Sequence, residues 1–417
     1  MSGTTPASTI QAEATRRLRR VAIIGHYPAD PGRPRGGIEA SVLGLTRTLG
    51  ALRPDCEIRV WSLGHTKGES ALPGHSGSRV RFLTYPAGRE IAAPLRLPGL
   101  IAALERYAPD VVHLHGTGPL AALLGVYLTL RRKPWVLTVH GLLVKELADA
   151  YIRAPSLKRR LQRWIYSAFE RLAMRSAKQM IVDTPYVARA IGPAFSARIH
   201  TIAQGVFLDE LAAAMTLDRH RSHAIVSIGV MHPRKGHHHL IRAFAKAVDG
   251  LPECRLTIFG AEIDPDYTAG LRDLVHQFGL DHAVQVHTDA GRQDLLEAIA
   301  GARIMALHSE EESQGIALCE ALAAGLPVVS TEAGGIPDVV QHEVDGLLSP
   351  YGDVDGFARN LHRLLTDDGL LTRFSEAALA RRERSGWDVA VNDALAVYEA
   401  AAFIPAGATA PHPPPTS

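Results

Sequence analysis

Along most of this chain, short continuous apolar runs alternate with longer stretches whose apolar positions recur every three or four residues. Val21–Gly25 (VAIIG) is a run of strand length, followed by a Pro/Gly-rich loop from His26 to Gly37 and a helical pattern over Ile38–Leu52. Further strand-length runs fall at Glu57–Leu63, Arg79–Leu83, Asp110–Leu114, Trp135–Val139 and Gln179–Val182. Helical patterns at Leu95–Arg106, Leu120–Leu130 and Ser156–Lys178 separate most of them. A strand that is apolar at every position is covered on both faces, as in a parallel sheet. The alternation therefore predicts βαβ units.

A second set begins near residue 223. Its predicted strands are Ala224–Ile228, Arg255–Phe259, Ala283–His287, Ile304–Leu307 and Val328–Ser330. Its predicted helices lie near Gly236–Val248, Asp266–Phe278, Gln293–Ala300, Gly315–Ala324 and Val354–Leu365. Two such sets predict an α/β chain with two doubly wound, Rossmann-like parallel sheets, joined between about Gly205 and His223. Residues 1–19 and the Pro/Ala-rich tail 404–417 read as disordered. Ligands of open α/β sheets sit at the carboxyl ends of the strands, so the cleft between the sheets is where chemistry is expected.

Composition narrows the class. With 417 residues, 45 basic against 43 acidic and 46% hydrophobic residues, the chain is globular and lacks the basic excess of a nucleic-acid binder. The apolar run Pro119–Leu130 is too short to span a bilayer. Cys56, Cys254 and Cys319 are far apart in sequence, which fits a reducing compartment. The polar stretch Met1–Arg20 has no apolar core of a secretory signal, so a cytoplasmic location is expected.

The richest segment is Ala302–Gly335, where a buried strand leads through an acidic loop into a helix starting near Gly315 and stopping at Gly325. Open N–H groups at a glycine-led helix start suit a diphosphate. Glu312 and Glu320 cannot share one helical face, so they reach different parts of one ligand, and carboxylates accept hydrogen bonds from sugar hydroxyls. Together these predict a nucleotide-sugar site. Lys235, in Ile228–Leu240 (IGVMHPRKGHHHL), follows the first strand of the second set, where a cation meets phosphate. Gly36-Gly37 precede a helix in the first set, and His140 ends the strand Trp135–Val139.

Glu312-Ser-Gln-Gly-Ile-Ala-Leu-Cys-Glu320 with the following Ala-Leu-Ala-Ala-Gly-Leu-Pro-Val-Val resembles the Glu-x7-Glu motif of retaining glycosyltransferase family 4, a GT-B fold. The resemblance spans roughly residues 20 to 402. It implies that Glu312 contacts the donor sugar, that Glu320 holds the ribose hydroxyls and that Lys235 is the phosphate lysine. It further implies that Gly36 and Gly37 face the donor phosphates and that His140, in a T-x-H-G pattern, contacts the sugar. Glu312, His140 and Lys235 form the expected catalytic set, with Gly36, Gly37, Arg234, Gly315, Ile316, Ala317 and Glu320 binding donor. His113 and His115 match a D-V-V-H-x-H strand, with His113 read as a satisfied core histidine. The chain departs from the family at Val230, where relatives carry a second phosphate Arg that Arg234 would replace, and at Ala203-Gln204 in place of Pro-Asn. The expected division is 20–205 and 206–385 for the two domains, with 386–403 as a helix crossing back to the first.

Competing readings are weaker. Gly116-Thr-Gly118 lacks the third glycine and the acidic residue of a dinucleotide fingerprint. Asp264-Pro-Asp266 and Asp353-Val-Asp355 match D-x-D formally, but sit where ordinary loops are expected. His237, His238 and His239 diverge around a helix and cannot converge on a metal. The expectation is thus a metal-independent glycosyltransferase without cofactor, using a UDP- or GDP-sugar as donor and a glycan or lipid-linked saccharide as acceptor. A sugar-nucleotide epimerase and a non-catalytic GT-B subunit are the alternatives. Ser156–Lys178 is basic and amphipathic; it reads first as a helix packed on the first sheet with its basic face in solvent. The second reading is peripheral contact with an anionic membrane.

Overall fold

The computed structural model describes residues 17–34, 36–64, 68–72, 75, 77–84, 90–142, 156–193, 198–212 and 219–403. The expected tail 404–417 and most of the expected loose start lie outside these residues. Leu18 already belongs to the core, fully buried.

The first sheet contains β1 (Arg20–Gly25), β2 (Glu57–Gly64), β3 (Gly68–Ala71), β4 (Arg79–Thr84), β5 (Val111–His115), β6 (Trp135–Val139), β7 (Gln179–Val182) and β8 (Ile199–Thr201), in the order β3-β4-β2-β1-β5-β6-β7-β8. Only β3 runs antiparallel, as an exposed edge. The second sheet contains β9 (Ala224–Ile228), β10 (Arg255–Phe259), β11 (Val284–His287), β12 (Ile304–Leu307), β13 (Val328–Thr331) and β14 (Gly346–Ser349), in the order β11-β10-β9-β12-β13-β14, all parallel. The expected α/β fold of two doubly wound sheets is observed. Each sheet is packed on both faces: β5, β6 and β12 are buried at every residue. That two-sided burial is why these strands read as unbroken apolar runs.

The last helix, Trp387–Phe403, leaves the second sheet and packs on the first, where Trp387, Val391 and Tyr398 join Ile23, Val42 and Leu49 in one core. Its crossing point is made by glycine. A Cβ on Gly44 would lie 2.0 Å from Trp387 Cε2, and one on Gly205 2.4 Å from Trp387 Cα. The chain passes there twice, Val206 N–H donating to Ser385 O at 2.8 Å and Trp387 N–H to Val206 O at 3.2 Å. Both passages between the sheets are therefore bound together at one place.

Candidate active site

The expected site residues lie on the segments that follow the carboxyl ends of β1, β6, β9 and β12. After β9 the chain makes a tight turn, with Gly236 at φ 62° capping the helix His237–Ala247. A Cβ there would lie 1.8 Å from His308 O, so the loops after β9 and β12 can touch only through glycine. Glu310 N–H and Ser309 Oγ–H both donate to Arg234 O, at 2.8 and 3.1 Å, which fixes the two loops to each other. This contact brings Lys235 Nζ to 2.5 Å from Glu312 Oε1, in a pair whose side chains are 19% and 9% exposed. Arg234 thus contributes its backbone to the architecture of the site.

The helix Ile316–Ala323 begins at Gly315, with φ 79° and no side-chain cap, leaving its first N–H groups for another acceptor. Across the cleft, Gly36 caps the helix Gly37–Leu52, again without a side chain. A Cβ on Gly37 would come 3.8 Å from Ile316 Cδ1, whereas one on Gly36 would meet nothing within 4 Å. The two uncapped helix starts thus face one another beside Lys235 and Glu312.

Glu320 is buried and bound by a residue that sequence reading did not single out. Arg292 Nη1 lies 2.6 Å from Glu320 Oε1, and its Nε lies 2.9 Å from Glu210 Oε2. Glu210 in turn meets Arg47 Nη1 of the first-sheet helix at 2.6 Å. Burial pushes the Glu320 carboxyl above its usual range, with Arg292 opposing the shift. Burial also works against the Arg292 cation, but Glu320 and Glu210 outweigh it and raise its pKa. A signal existed: Arg292 opens the helix Arg292–Gly301, where a cation is disfavoured by the dipole unless an anion holds it.

His140 lies between sheets in a chain of polar contacts. Its Nε2 is 2.9 Å from His115 Nδ1, and its Nδ1 is 3.3 Å from both Asp183 Oδ2 and Gln204 Nε2. Both ring nitrogens thus have protein partners. Gln204, the departure from the family pattern, donates to Asp183 at 2.7 Å and exchanges two backbone contacts with Gln314, at 2.8 and 2.9 Å. Those bonds tie the loop before Glu320 to the chain leaving the first sheet. Gly141 abuts the same loop, since a Cβ there would sit 2.7 Å from Ser313 Oγ. His113 is buried and satisfied, with Tyr398 Oη and Thr138 Oγ1 each at 2.6 Å; burial lowers its pKa to about 3 and keeps it neutral.

The D-x-D candidates are helix caps. Asp264 accepts from Tyr267 N–H at 3.1 Å and Asp353 from Gly356 N–H at 2.8 Å, while Asp355 pairs with Lys246. His237 is buried with Nε2 3.1 Å from Gly229 O, and His238 Nδ1 is 2.9 Å from Tyr267 Oη, so the three consecutive histidines do not converge. Among the described residues, one group has metal-like spacing: His223, Glu253 and Cys254. It lies before β9 and β10, at the end of the sheet away from the cleft.

Known proteins match this arrangement over almost the whole chain. The model of the family described as Glycosyl transferases group 1 matches residues 216–381, and that of the Glycosyl transferase 4-like domain matches residues 36–205. A D-inositol 3-phosphate glycosyltransferase of Xylanimonas cellulosilytica is 30% identical, over 91% of this chain and 96% of its own length. The chain is a GT-B glycosyltransferase of the family 4 type. Another protein of the same description, from Kribbella flavida, is 27% identical over 93% of this glycosyltransferase and 96% of the relative. Solved structures agree on the fold. Sucrose-phosphate synthase from Thermosynechococcus elongatus has a TM-score of 0.73 at 22% identity, covering 91% of this chain and 98% of that one. HepE of Anabaena in complex with UDP and glucose has a TM-score of 0.67 at 18% identity, covering 90% and 98%. Glu312, Glu320 and Lys235 of this glycosyltransferase lie inside the group 1 match, and Gly36, Gly37 and His140 inside the 4-like match.

Proposed function

We propose that this glycosyltransferase moves a sugar from a nucleoside-diphosphate donor to a hydroxyl acceptor with retention at the anomeric carbon. The observation that carries this reading is the meeting of the two uncapped helix starts, at Gly36-Gly37 and Gly315-Ile316, beside the Lys235–Glu312 pair. Two sets of open N–H groups and a cation suit a diphosphate, and an adjacent carboxylate suits sugar hydroxyls.

In the reaction, the bond from the anomeric carbon to the diphosphate oxygen breaks and a bond to the acceptor oxygen forms. The acceptor proton passes to the departing phosphate oxygen on the same face. Negative charge grows on the diphosphate as the bond breaks. Lys235 and the N–H groups at Gly315, Ile316 and Ala317 stabilise it in place, without the reorientation that water would need. Glu312 orients the sugar, and Glu320, held by Arg292, accepts from the ribose hydroxyls. His140, fixed by His115 and Asp183, shapes the sugar side of the cleft. Among the described residues, the site carboxylates Glu312, Glu320 and Asp183 are each held by a partner, so front-face displacement is the reading. It uses no cofactor or metal, and EDTA should leave turnover unchanged.

The donor is a UDP- or GDP-sugar, a reading supported by the UDP complex of HepE. The acceptor is a glycan or lipid-linked saccharide. The names of the curated relatives support a second class, a phosphorylated cyclitol. The test incubates purified protein with UDP-, GDP- and ADP-sugars and an acceptor panel of these classes, and assigns product anomers by NMR. Glu312→Ala should abolish transfer while the chain still unfolds cooperatively, at a lowered midpoint because Lys235 loses its buried partner. Near-native transfer by that variant, or donor conversion without acceptor as in an epimerase, would overturn the reading.

A further inference from the structure

The helix Leu157–Ser176 is amphipathic twice over. Its N-cap Ser156 accepts from Arg159 N–H, and one face packs inward through Tyr166, Glu170, Ala173 and Met174. Glu170, its only acidic residue, is buried and accepts from Thr117 Oγ1–H at 3.2 Å. The opposite face is also apolar. Leu157 is 81% exposed, Leu161 56%, Trp164 71% and Leu172 38%. At 3.6 residues per turn these positions, with Ala168 between the last two, form a single stripe down the outer side. Arg160 and Arg171 fall along one edge of that stripe, Lys158 along the other and Arg175 at its end.

A helix packed on a sheet with a basic, solvated outer face would bury its apolar residues. The helix packs on the first domain with exposed cations on its outer side, as the first reading of Ser156–Lys178 has it, but four large apolar side chains also point away from the protein. Isolated exposed leucines are ordinary, but a continuous stripe with an exposed Trp marks an interaction surface. Six cations and one buried anion on the helix choose among occupants, in a chain whose whole net charge is only +2. A second copy would bring six like charges against six.

We infer that this helix docks on an anionic lipid bilayer, with Leu157, Leu161, Trp164 and Leu172 in the headgroup–acyl boundary and the flanking arginines on lipid phosphates. Among the described residues no helix is long and apolar enough to cross a membrane, so the contact is peripheral. The helix lies between β6 and β7, and in a parallel crossover it starts at the strands' carboxyl ends. Its exposed Leu157 end therefore stands on the cleft side of the sheet. Docking presents the cleft mouth to the bilayer surface, which deepens the transferase reading and rests on it: of the acceptor classes, the lipid-linked saccharide is the one this geometry serves.

The test is flotation of the full chain with vesicles of phosphatidylcholine alone and of phosphatidylcholine with phosphatidylglycerol. The chain should float with the anionic vesicles only, and added salt should release it. The exposed double variant Leu161→Ser/Trp164→Ser should lower vesicle partitioning at least about tenfold without moving the thermal transition. Arg160→Glu/Arg171→Glu, at the edge of the stripe, should do the same. Absence of flotation, or flotation unaffected by both variants, overturns the inference. So does a vesicle-independent dimer that the Leu161/Trp164 variant dissociates, which would give the stripe to a second copy. Transfer by the same samples to a water-soluble saccharide acceptor, without vesicles, reads the cleft separately: docking without transfer to any acceptor overturns the transferase reading, and transfer without docking overturns this one.

Discussion

Replacing Arg292 by Met tests how the site holds a buried carboxylate. The Arg292 side chain is 24% exposed and Glu320 12%, so their pair is largely removed from water. Taking away one partner of a buried pair costs about 3–5 kcal/mol when the other stays charged. Glu210 retains Arg47, so the unbalanced charge falls on Glu320. Glu320 already has its pKa raised by burial, against the pull of Arg292. Without Arg292 the folded state prefers the protonated acid more strongly, while the unfolded chain titrates as an ordinary glutamate. Between those two pKa values the folded state binds the extra proton, so stability falls as pH rises. The variant's loss relative to the native protein is therefore smallest at acid pH and grows as pH rises through the raised Glu320 pKa. For a unit of about 200 residues, 3 kcal/mol corresponds to roughly 6–12 °C in Tm. Donor recognition should move the other way. If the ribose is held by ionised Glu320, the rise in donor KM should be largest at acid pH and shrink as the carboxylate ionises. Arg292→Lys should restore most of both. Calorimetry and initial rates across the pH range supply the two readouts. A Tm deficit that is flat or larger at acid pH would refute the argument.

Gly44→Ala should destabilise the crossing helix, because the added methyl overlaps Trp387 Cε2; an overpacked core costs about 1–3 kcal/mol, visible as a lower urea midpoint. Tyr398→Phe leaves His113 Nδ1 buried without its partner at 2.6 Å, and should cost about 1–3 kcal/mol in the same assay while donor KM stays unchanged.

What could be read in advance follows from where the information sits. β1, β6, β9 and β12 were legible because burial on both faces removes polar residues from the strand itself. β3 (GESA) was missed because it is an exposed edge with no apolar side to announce it. β8 (IHT) and β14 (GLLS) were missed because they hold one and two apolar residues, too few to read as an apolar run, unlike β12 (IMAL) of the same length as β14. In the site, Glu312, Gly315, Glu320 and Lys235 were legible because each local segment carries its own chemistry. Asp183, Glu210, Arg47 and Gln314 were not, since their roles exist only as tertiary partners. The outward face of Leu157–Ser176 shows the same limit. Its composition gave an amphipathic helix, but two apolar faces around one helix can be assigned to core and surface only when packing shows which one is buried.

The site's charges are already spoken for: Lys235 by Glu312, Glu320 by Arg292, Asp183 by His140 and Gln204. In the proposed reaction, donor binding would then be an exchange of partners. A diphosphate reaching Lys235 releases Glu312, and the released carboxylate remains buried unless sugar hydroxyls or waters donate to it. A nucleoside diphosphate without its sugar would satisfy the cation and strand the anion. The intact nucleotide sugar satisfies both at once. Discrimination between donor and spent donor follows from that coupling, and it favours release of the diphosphate after the sugar has left. Under the proposed function, the pairing that satisfies Lys235 and Glu312 in the structure would also make the cleft selective, because each buried charge would accept a new partner only when its old one is also provided for.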